Sequence, residues 1–246
     1  MSNPLSCARA PARIPDRIPS DPHECGVITQ AFIAHVDAAE FPCVGSKAAL
    51  AQGALQTAEF MPLGNRGNDA PLLDDLTRFA AELDAADPES STVHSFVALF
   101  EGPAPTDEHR FEALLWSQLQ RLHNLDASRG TRWAPEVSTD PDSPQFSLSL
   151  ARHPFFVIGL HPGASRVARR FAWPALVFNS HRQFDRLRAD GRYAKMQTAT
   201  RARDIKLQGS INPNLADFGT AAETRQYSGR EVNEAWRCPF HVMKKH

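Results

Sequence analysis

The stretch that decides the fold is QFSLSLARHPFFVIGLHPGASRVARRF, residues 145–171. Its two apolar segments, 145–151 and 155–160, flank a short Arg-His-Pro connection, a pattern typical of a β-hairpin. The second segment leads directly into His161, a turn of small residues and a cluster of arginines. Buried strands do not usually end in this way, so we expect this strand exit to face a metal, an anion, a prosthetic group or solvent.

The segments around this hairpin indicate a mixed fold. Apolar residues at helical spacing predict helices over 26–41, 46–53, 70–86, 107–127 and 180–207, the last broken at Gly191. Two more strands are predicted over 91–101 and 173–179. Because the strands lie mainly in the middle of the chain, without regular βαβ alternation, we predict an α+β domain with a mostly antiparallel central sheet flanked by helices.

We expect a single domain over residues 25–246, since a chain of 246 residues can bury one large core. Residues 1–24 are rich in Pro, Ser and Arg and lack the apolar core of a secretory signal, so they predict a flexible N-terminal arm. No apolar run approaches the roughly 20 residues that cross a bilayer. These features predict a soluble cytoplasmic protein.

The charge balance restricts the partners. The chain has 27 basic and 28 acidic residues, which argues against binding to nucleic acid or to a membrane through bulk electrostatics. Neither a GxGxxG nor a Walker sequence is present, so nothing predicts a nucleotide fold. The chain also lacks a serine or cysteine nucleophile motif that would support hydrolysis.

The four cysteines are Cys7, Cys25, Cys43 and Cys238, and they show no CxxC or CxxCH spacing. A zinc finger and a covalently attached c-type haem are therefore not expected, and free thiols are. Cys43 and Cys238 each lie beside proline and phenylalanine, which predicts that both are buried. Each is either a small apolar core residue or a ligand to a metal or haem.

The polar residues of the second half leave several alternatives. His161 follows an apolar strand and is a metal or haem ligand, a general base or a hydrogen-bonded core residue; His181 shares this ambiguity. The cluster of Arg166, Arg169 and Arg170 forms either an anion site or a solvated helix face. Three carboxylates lie within or beside the irregular segment 208–219, and such segments often carry sites: Asp204, Asp217 and Glu223.

An ordered series of motifs carries a family resemblance. The motifs are FPCVGSKAAL, FEALLWSQLQRLH, FSLSLARHPFFVIGLHPGASRVARRF, LVFNSHRQFDRLR, DIKLQGSINPNLADFG, QYSGR and WRCPFH, which together span roughly residues 40–241. In this order they resemble the YqcI/YcgG family. More narrowly, they are similar to its haem-dependent N-hydroxylases of guanidine-bearing amino acids, which include the arginine N-hydroxylase of D-cycloserine biosynthesis and the pre-guanitoxin N-hydroxylase.

This resemblance implies a haem b (iron protoporphyrin IX), dioxygen as co-substrate, an external electron donor and hydroxylation of a guanidine nitrogen. It also implies an axial ligand and cations for the two haem propionates. His161 is the predicted ligand, with Cys43, Cys238 and His181 as alternatives. The predicted propionate partners are Arg166, Arg169 and Arg170. Haem proteins of this size often pair, so a homodimer is one expectation.

The implied substrate is a guanidino amino acid, whose planar cation one carboxylate can hold through two hydrogen bonds. Asp204, Asp217 and Glu223 are the candidates, and Arg188 is the predicted partner of the amino-acid carboxylate. Three amide side chains are predicted to order water for proton delivery, namely Asn179, Gln208 and Asn212. Two other classes stay open: a non-catalytic haem sensor or carrier, and a haem-free binding or hydrolytic protein.

Overall fold

The computed structural model describes residues 26–87, 90, 92–102, 104–105 and 107–243. The predicted N-terminal arm, 1–24, therefore lies outside the described residues. Within the described part of the chain, five strands form one sheet and seven α-helices surround it. The predicted α+β single domain is confirmed, and so is the mostly antiparallel sheet.

The sheet has the order β1-β2-β5-β4-β3. Its strands are β1 (Leu55–Phe60), β2 (Ser95–Phe100), β3 (Leu148–Leu150), β4 (His153–Leu160) and β5 (Ala175–Ser180). The β1–β2 pair is parallel, while the three other pairs are antiparallel. The strand β5 thus lies in the centre, between β2 and β4.

The helices lie on both faces of the sheet. They are α1 (Val27–Asp37), α2 (Val44–Ala51), α3 (Asp69–Ala85), α4 (Glu108–Ser128), α5 (His181–Ala189), α6 (Arg192–Gln208) and α7 (Thr224–Tyr227). A left-handed Gly191, with φ of 76°, separates α5 from α6, as the sequence predicts. No helix among the described residues is long and apolar enough to cross a membrane.

The predicted hairpin forms from β3 and β4, but its turn differs from the prediction. The connection is the pair Ala151 and Arg152, both with positive φ (52° and 59°), and β4 already begins at His153. A two-residue turn of this type matches the twist of an antiparallel pair. It is usually made by Asn-Gly or Asp-Gly, and the absence of those residues explains why the sequence pattern misplaces it.

The strand β1 is missing from the sequence prediction. Its sequence, LQTAEF, buries only Ala58 and Phe60, and the run is too polar to stand out as a strand. The strand forms because every residue of β1 pairs with a residue of β2, from Leu55 with Ser95 to Phe60 with Phe100. This pairing depends on tertiary structure, which local propensity does not encode.

Two apolar clusters hold the layers together. The larger cluster packs α3, α4 and the C-terminal segment against one face of the sheet, with Phe79, Phe111, Leu115 and Phe155 among its buried members. The smaller cluster packs α1 against part of the other face, through contacts such as those of Phe32 and Phe171 (ring centroids 5.2 Å apart). The sheet is therefore covered fully on one face and incompletely on the other by these two clusters.

A glycine sets the distance between α4 and the sheet. At Gly159 in β4, a Cβ atom would lie 2.6 Å from Phe111 Cε1 and 3.0 Å from Leu115 Cδ1. Both neighbours are fully buried and cannot move aside cheaply. The close approach of helix and strand therefore requires the absence of a side chain at this position.

We predict that Gly159→Ala lowers the free energy of unfolding by about 1–3 kcal/mol, because overpacking of a dense core costs that much. Urea denaturation measures it. Gly102→Ala is the matched control, since the nearest atom to an added Cβ there is 3.8 Å away; its effect should stay within about 0.5 kcal/mol. Equal stability of Gly159→Ala and wild type would show that α4 does not pack as described.

Candidate functional site

A cavity of about 190 Å³ lies between the incompletely covered face of the sheet and the pair α5 and α6. Most of its lining surface is apolar. The polar side chains that reach it include Ser95, Asn179, His181, Arg188, Arg201 and Glu223, with the Cys43 thiol. An apolar pocket with a few converging polar groups is typical of a ligand or cofactor site. A wider cleft of about 540 Å³, lined within residues 230–236, contains none of the predicted site residues.

The floor of the cavity follows from strand register. Asn179 in β5 pairs with Ser95 on one side and with Phe156 on the other, so the three side chains form a row on one face. Ile158, two residues further along β4, extends this floor. Ser95 Oγ donates to Asn179 Oδ1 at 2.7 Å, which fixes the orientation of the amide at the cavity floor.

Cys43 reaches the cavity from the N-cap of α2. Its Sγ accepts hydrogen bonds from the backbone N–H of Ser46 (3.4 Å) and from the Ser46 hydroxyl (3.2 Å). The sequence pattern predicts this helix from residue 46, but the structure begins it at Val44, with Cys43 as the N-cap. The Cys43 thiol therefore lies at the N-terminus of α2, on the wall of the cavity.

His181, the first residue of α5, also lines the cavity. It is buried, its ring lies 4.1 Å from the ring of Phe218, and its Nε2 lies 3.3 Å from Asp185 Oδ2. Burial lowers the pKa of His181, so the imidazole is neutral at pH 7. A carboxylate on one ring nitrogen orients an imidazole and leaves the other nitrogen for a ligand.

Glu223 supplies a buried carboxyl at the cavity wall, with only 4% of the residue exposed. Tyr227 donates its hydroxyl proton to Glu223 Oε1 at 2.5 Å. Burial raises the pKa of Glu223 to about 8, so the group is mostly a neutral acid at pH 7. A cation bound beside it would favour the ionised form, which makes this carboxyl suited to a positively charged ligand.

Two arginines also line the cavity. Arg188 donates to Asp185 at 2.6 Å, and its guanidinium lies 4.8 Å from the ring centroid of Tyr193 and 5.5 Å from that of Phe218. Arg201 on α6 donates to Asp217 at 3.2 Å, while its buried Nε has no hydrogen-bond partner. Both therefore place positive charge at the wall, and Arg201 retains an unused donor.

His161 lies on the opposite face of the sheet. It is fully buried, its ring stacks on Phe111 at 4.2 Å between centroids, and neither ring nitrogen has a hydrogen-bond partner. Burial lowers the pKa of this imidazole, which keeps it neutral. The residue does not belong to the lining of the cavity. Its role as a ligand stays a prediction.

The three clustered arginines bind the chain itself. Arg166 pairs with Asp204 at 2.5 Å and donates to the Ser210 carbonyl at 2.7 Å. Arg169 donates to the carbonyls of Gly159, Gln226 and Tyr227, and Arg170 donates to those of Ala164 and Ser165. These contacts join the exit of β4 to α6 and α7. None of the three guanidinium groups lines the cavity.

The remaining predicted residues do not line the cavity. Gln208 accepts from the Val167 N–H at 2.7 Å, Asp217 accepts from Gln197 at 2.5 Å, and Asn212 accepts from the Asn214 N–H at 3.0 Å. Cys238 is buried in the larger apolar cluster, where burial raises the pKa of its thiol to about 12. That environment keeps Cys238 a protonated thiol.

The structure thus brings together Cys43, Asn179, His181, Arg188 and Glu223 of the predicted set. It separates from them the other predicted residues: His161, Arg166, Arg169, Arg170, Asp204, Gln208, Asn212, Asp217 and Cys238. Sequence reasoning misses Arg201, Ser95 and Tyr193. The lining face of α6 recurs at helical spacing (Tyr193, Met196, Gln197, Thr200 and Arg201), but its mixture of polar and apolar types hides the pattern.

Comparison with known proteins gives a family and no individual relative. No curated protein and no solved structure shows a significant match to the chain. The model of the YqcI/YcgG family matches residues 30–241, which include every cavity residue named above. The chain therefore belongs to the YqcI/YcgG family.

Proposed function

We propose that this protein is a haem-dependent monooxygenase that hydroxylates a guanidine nitrogen of arginine or of a related guanidino amino acid, and that it acts in the cytoplasm with an external electron donor. One observation carries the proposal. A thiol at a helix N-terminus, a neutral imidazole, two arginines and a buried carboxyl converge on a single apolar cavity. The motif series that resembles the N-hydroxylases supports the same reaction class.

The residues of the cavity fit a haem in their chemistry. Cys43 and His181 are ligand types that haem iron accepts, and Arg188 and Arg201 are cations suited to propionates. Phe156 and Ile158 make part of the floor apolar. The volume of about 190 Å³ is below the range of roughly 300–1,000 Å³ that is typical of cofactor sites. Binding of a haem would therefore require one wall of the cavity to move outward. The helix α6 is the wall best suited to move, since it has no buried residue.

Cys43 or His181 would hold the iron from this side of the sheet. A bound haem would supply the activation of dioxygen, which side chains do not provide. The chain's own contribution is then to exclude water and to orient the substrate. Phe156, Ile158 and Phe218 provide the dry surfaces for the first task.

Glu223 is the group best placed to hold a guanidinium. Of the three predicted carboxylates, Glu223 is the one that lines the cavity. Asp204 is instead paired with Arg166. A charged hydrogen-bonded pair formed at a buried site fixes orientation as well as position. Arg188 or Arg201 can bind the carboxylate of the same amino acid, and Asn179 can hold a water for proton delivery at the floor.

Turnover with isotopically labelled dioxygen tests the proposed reaction. We expect the haem-loaded protein, given arginine and a reductant, to form a product that contains one labelled oxygen atom on a guanidine nitrogen, detected by mass spectrometry. A protein that binds haem but labels no guanidino amino acid would instead be a sensor or carrier. A protein that binds no haem would belong instead to the alternative class of haem-free binding or hydrolytic proteins.

Substrate binding provides the test of Glu223. We predict that Glu223→Gln raises the dissociation constant for the guanidino amino acid by about 10- to 100-fold, since a charged hydrogen bond contributes about 1.5–3 kcal/mol. Haem content should not change. Glu234→Gln replaces an exposed carboxyl outside the cavity and is the matched control, with wild-type affinity expected.

The pH dependence of binding follows from the raised pKa of Glu223. The carboxyl must ionise to pair with a guanidinium, so affinity should rise with pH up to about 8 and level off above it. Glu223→Gln should lack this rise. Isothermal titration calorimetry over that range measures both proteins, and parallel pH profiles would exclude Glu223 as the partner of the cation.

A further inference from the structure

A continuous series of aromatic side chains leads from the cavity to the protein surface. Phe156 lines the cavity and packs edge-on against Tyr227, with ring centroids 5.6 Å apart. Tyr227 stacks on Trp116 (5.5 Å, interplanar angle 16°), and Trp116 lies 6.3 Å from Trp236. Trp236 lines the open surface cleft. Tyrosine and tryptophan are the two aromatic side chains that lose an electron most readily. Here three such side chains follow one another in space through ring contacts.

The inner end of this series is coupled to a proton acceptor. Tyr227 is fully buried, and its hydroxyl donates to Glu223 Oε1, the carboxyl at the cavity wall. Burial and the nearby Glu223 raise the pKa of Tyr227 far above its ordinary value, so the phenol keeps its proton unless it is oxidised. An oxidised phenol is a strong acid and needs a base beside it. Neutral Glu223 can take up this proton at Oε1 when its other oxygen releases one to the cavity.

We propose that Tyr227, Trp116 and Trp236 form an electron relay that removes oxidising equivalents from the cavity when no substrate consumes them. This inference rests on the proposed oxygenase function, because the oxidant is a one-electron oxidant derived from dioxygen in the cavity. The distances favour the relay, since electron transfer slows steeply with separation and each step here crosses a single ring contact.

The electrons and protons balance in each step. Tyr227 gives one electron to the oxidant and passes its hydroxyl proton to Glu223 Oε1, while the other oxygen of the neutral Glu223 releases a proton to the reduced oxidant. Trp116 then returns an electron to Tyr227, whose oxygen regains a proton through Glu223 from the cavity. Trp236 reduces Trp116, and an external one-electron reductant, a thiol or ascorbate, reduces Trp236.

The positive charge of Arg225 near Trp236 is consistent with Trp236 passing an electron on rather than remaining oxidised. The guanidinium of Arg225 lies 5.8 Å from the Trp236 ring centroid, and its charge disfavours a cation radical on that indole. An oxidised Trp236 therefore loses its N–H proton and regains one when it is reduced. The indole Nε1 of Trp116 is buried without a hydrogen-bond partner, so no polar group in contact with it captures its proton.

Pulse radiolysis of the full-length protein without haem tests the relay independently of the proposed function. Azide radicals oxidise tryptophans that are open to solvent, and transfer to a tyrosine converts the tryptophanyl absorption into tyrosyl absorption. The chain has four tryptophans and two tyrosines, so a Tyr193→Phe background leaves Tyr227 as the single tyrosine. We expect a tyrosyl signal in this background whose rate does not depend on protein concentration.

Three variants in that background locate the route. Trp116→Phe should lose the tyrosyl signal. Trp236→Phe, which replaces a half-buried side chain at the cleft, should reduce it. Trp173→Phe is the control, since Trp173 packs against Phe171 in the smaller cluster and should leave the signal unchanged. A tyrosyl signal that survives in Trp116→Phe, or an equal loss in Trp173→Phe, would overturn the relay. Circular dichroism of each variant verifies the fold.

A second measurement connects the relay to the reaction. Peroxide added to the haem-loaded protein without substrate should give a tyrosyl radical by electron paramagnetic resonance, and Trp116→Phe should be inactivated in fewer turnovers than Trp173→Phe. Equal inactivation of the two variants would contradict a protective role. Failure to load haem would refute the proposed function, while the radiolysis result would still decide whether the electron route exists.

Discussion

The register of β5 against its two neighbours is the constraint on which the rest of the site depends. It places Asn179, Ser95 and Phe156 in one row, on the face of the sheet that α1 covers only in part. Because side chains alternate along a strand, a slip of one residue would turn this row into the larger apolar cluster and bury the amide and the hydroxyl there. The floor of the cavity is therefore set by the pairing of β5 with β2 and β4 and does not depend on the helices that form its walls.

Hydrogen bonds from Arg169 fix the position of the segment that brings Glu223 to the cavity. Arg169 donates to Gly159 of β4 and to two carbonyls of the segment that carries Glu223 and Tyr227. Burial lowers the pKa of Arg169 to about 10, which still leaves it charged at neutral pH. One side chain thus joins the end of a strand to α7. Arg166, Arg169 and Arg170 therefore bind other parts of the chain. This structural role differs from the solvated helix face and the anion site that the sequence suggests.

The sequence predicts the fold better than it predicts the site, for physical reasons that particular residues show. Periodicity identifies α3, α4 and the break at Gly191, because apolar spacing and a left-handed glycine are local properties. It misses β1 and the turn at Ala151 and Arg152, which depend on pairing partners distant in sequence. Residue chemistry correctly singles out polar groups of the second half, but only the folded chain separates Glu223 at the cavity from Asp204 in an ion pair.

The visible spectrum of the purified protein, as isolated and as the reduced carbonyl complex, tests the central claim most directly: that the cavity holds a haem through Cys43 or His181. We expect a Soret band that Cys43→Ser or His181→Ala shifts or removes and that Cys238→Ser preserves. A carbonyl band displaced far to the red would identify the thiolate of Cys43, and an unshifted band would identify His181. No Soret band, or a band lost only in His161→Ala, would contradict haem binding through Cys43 or His181.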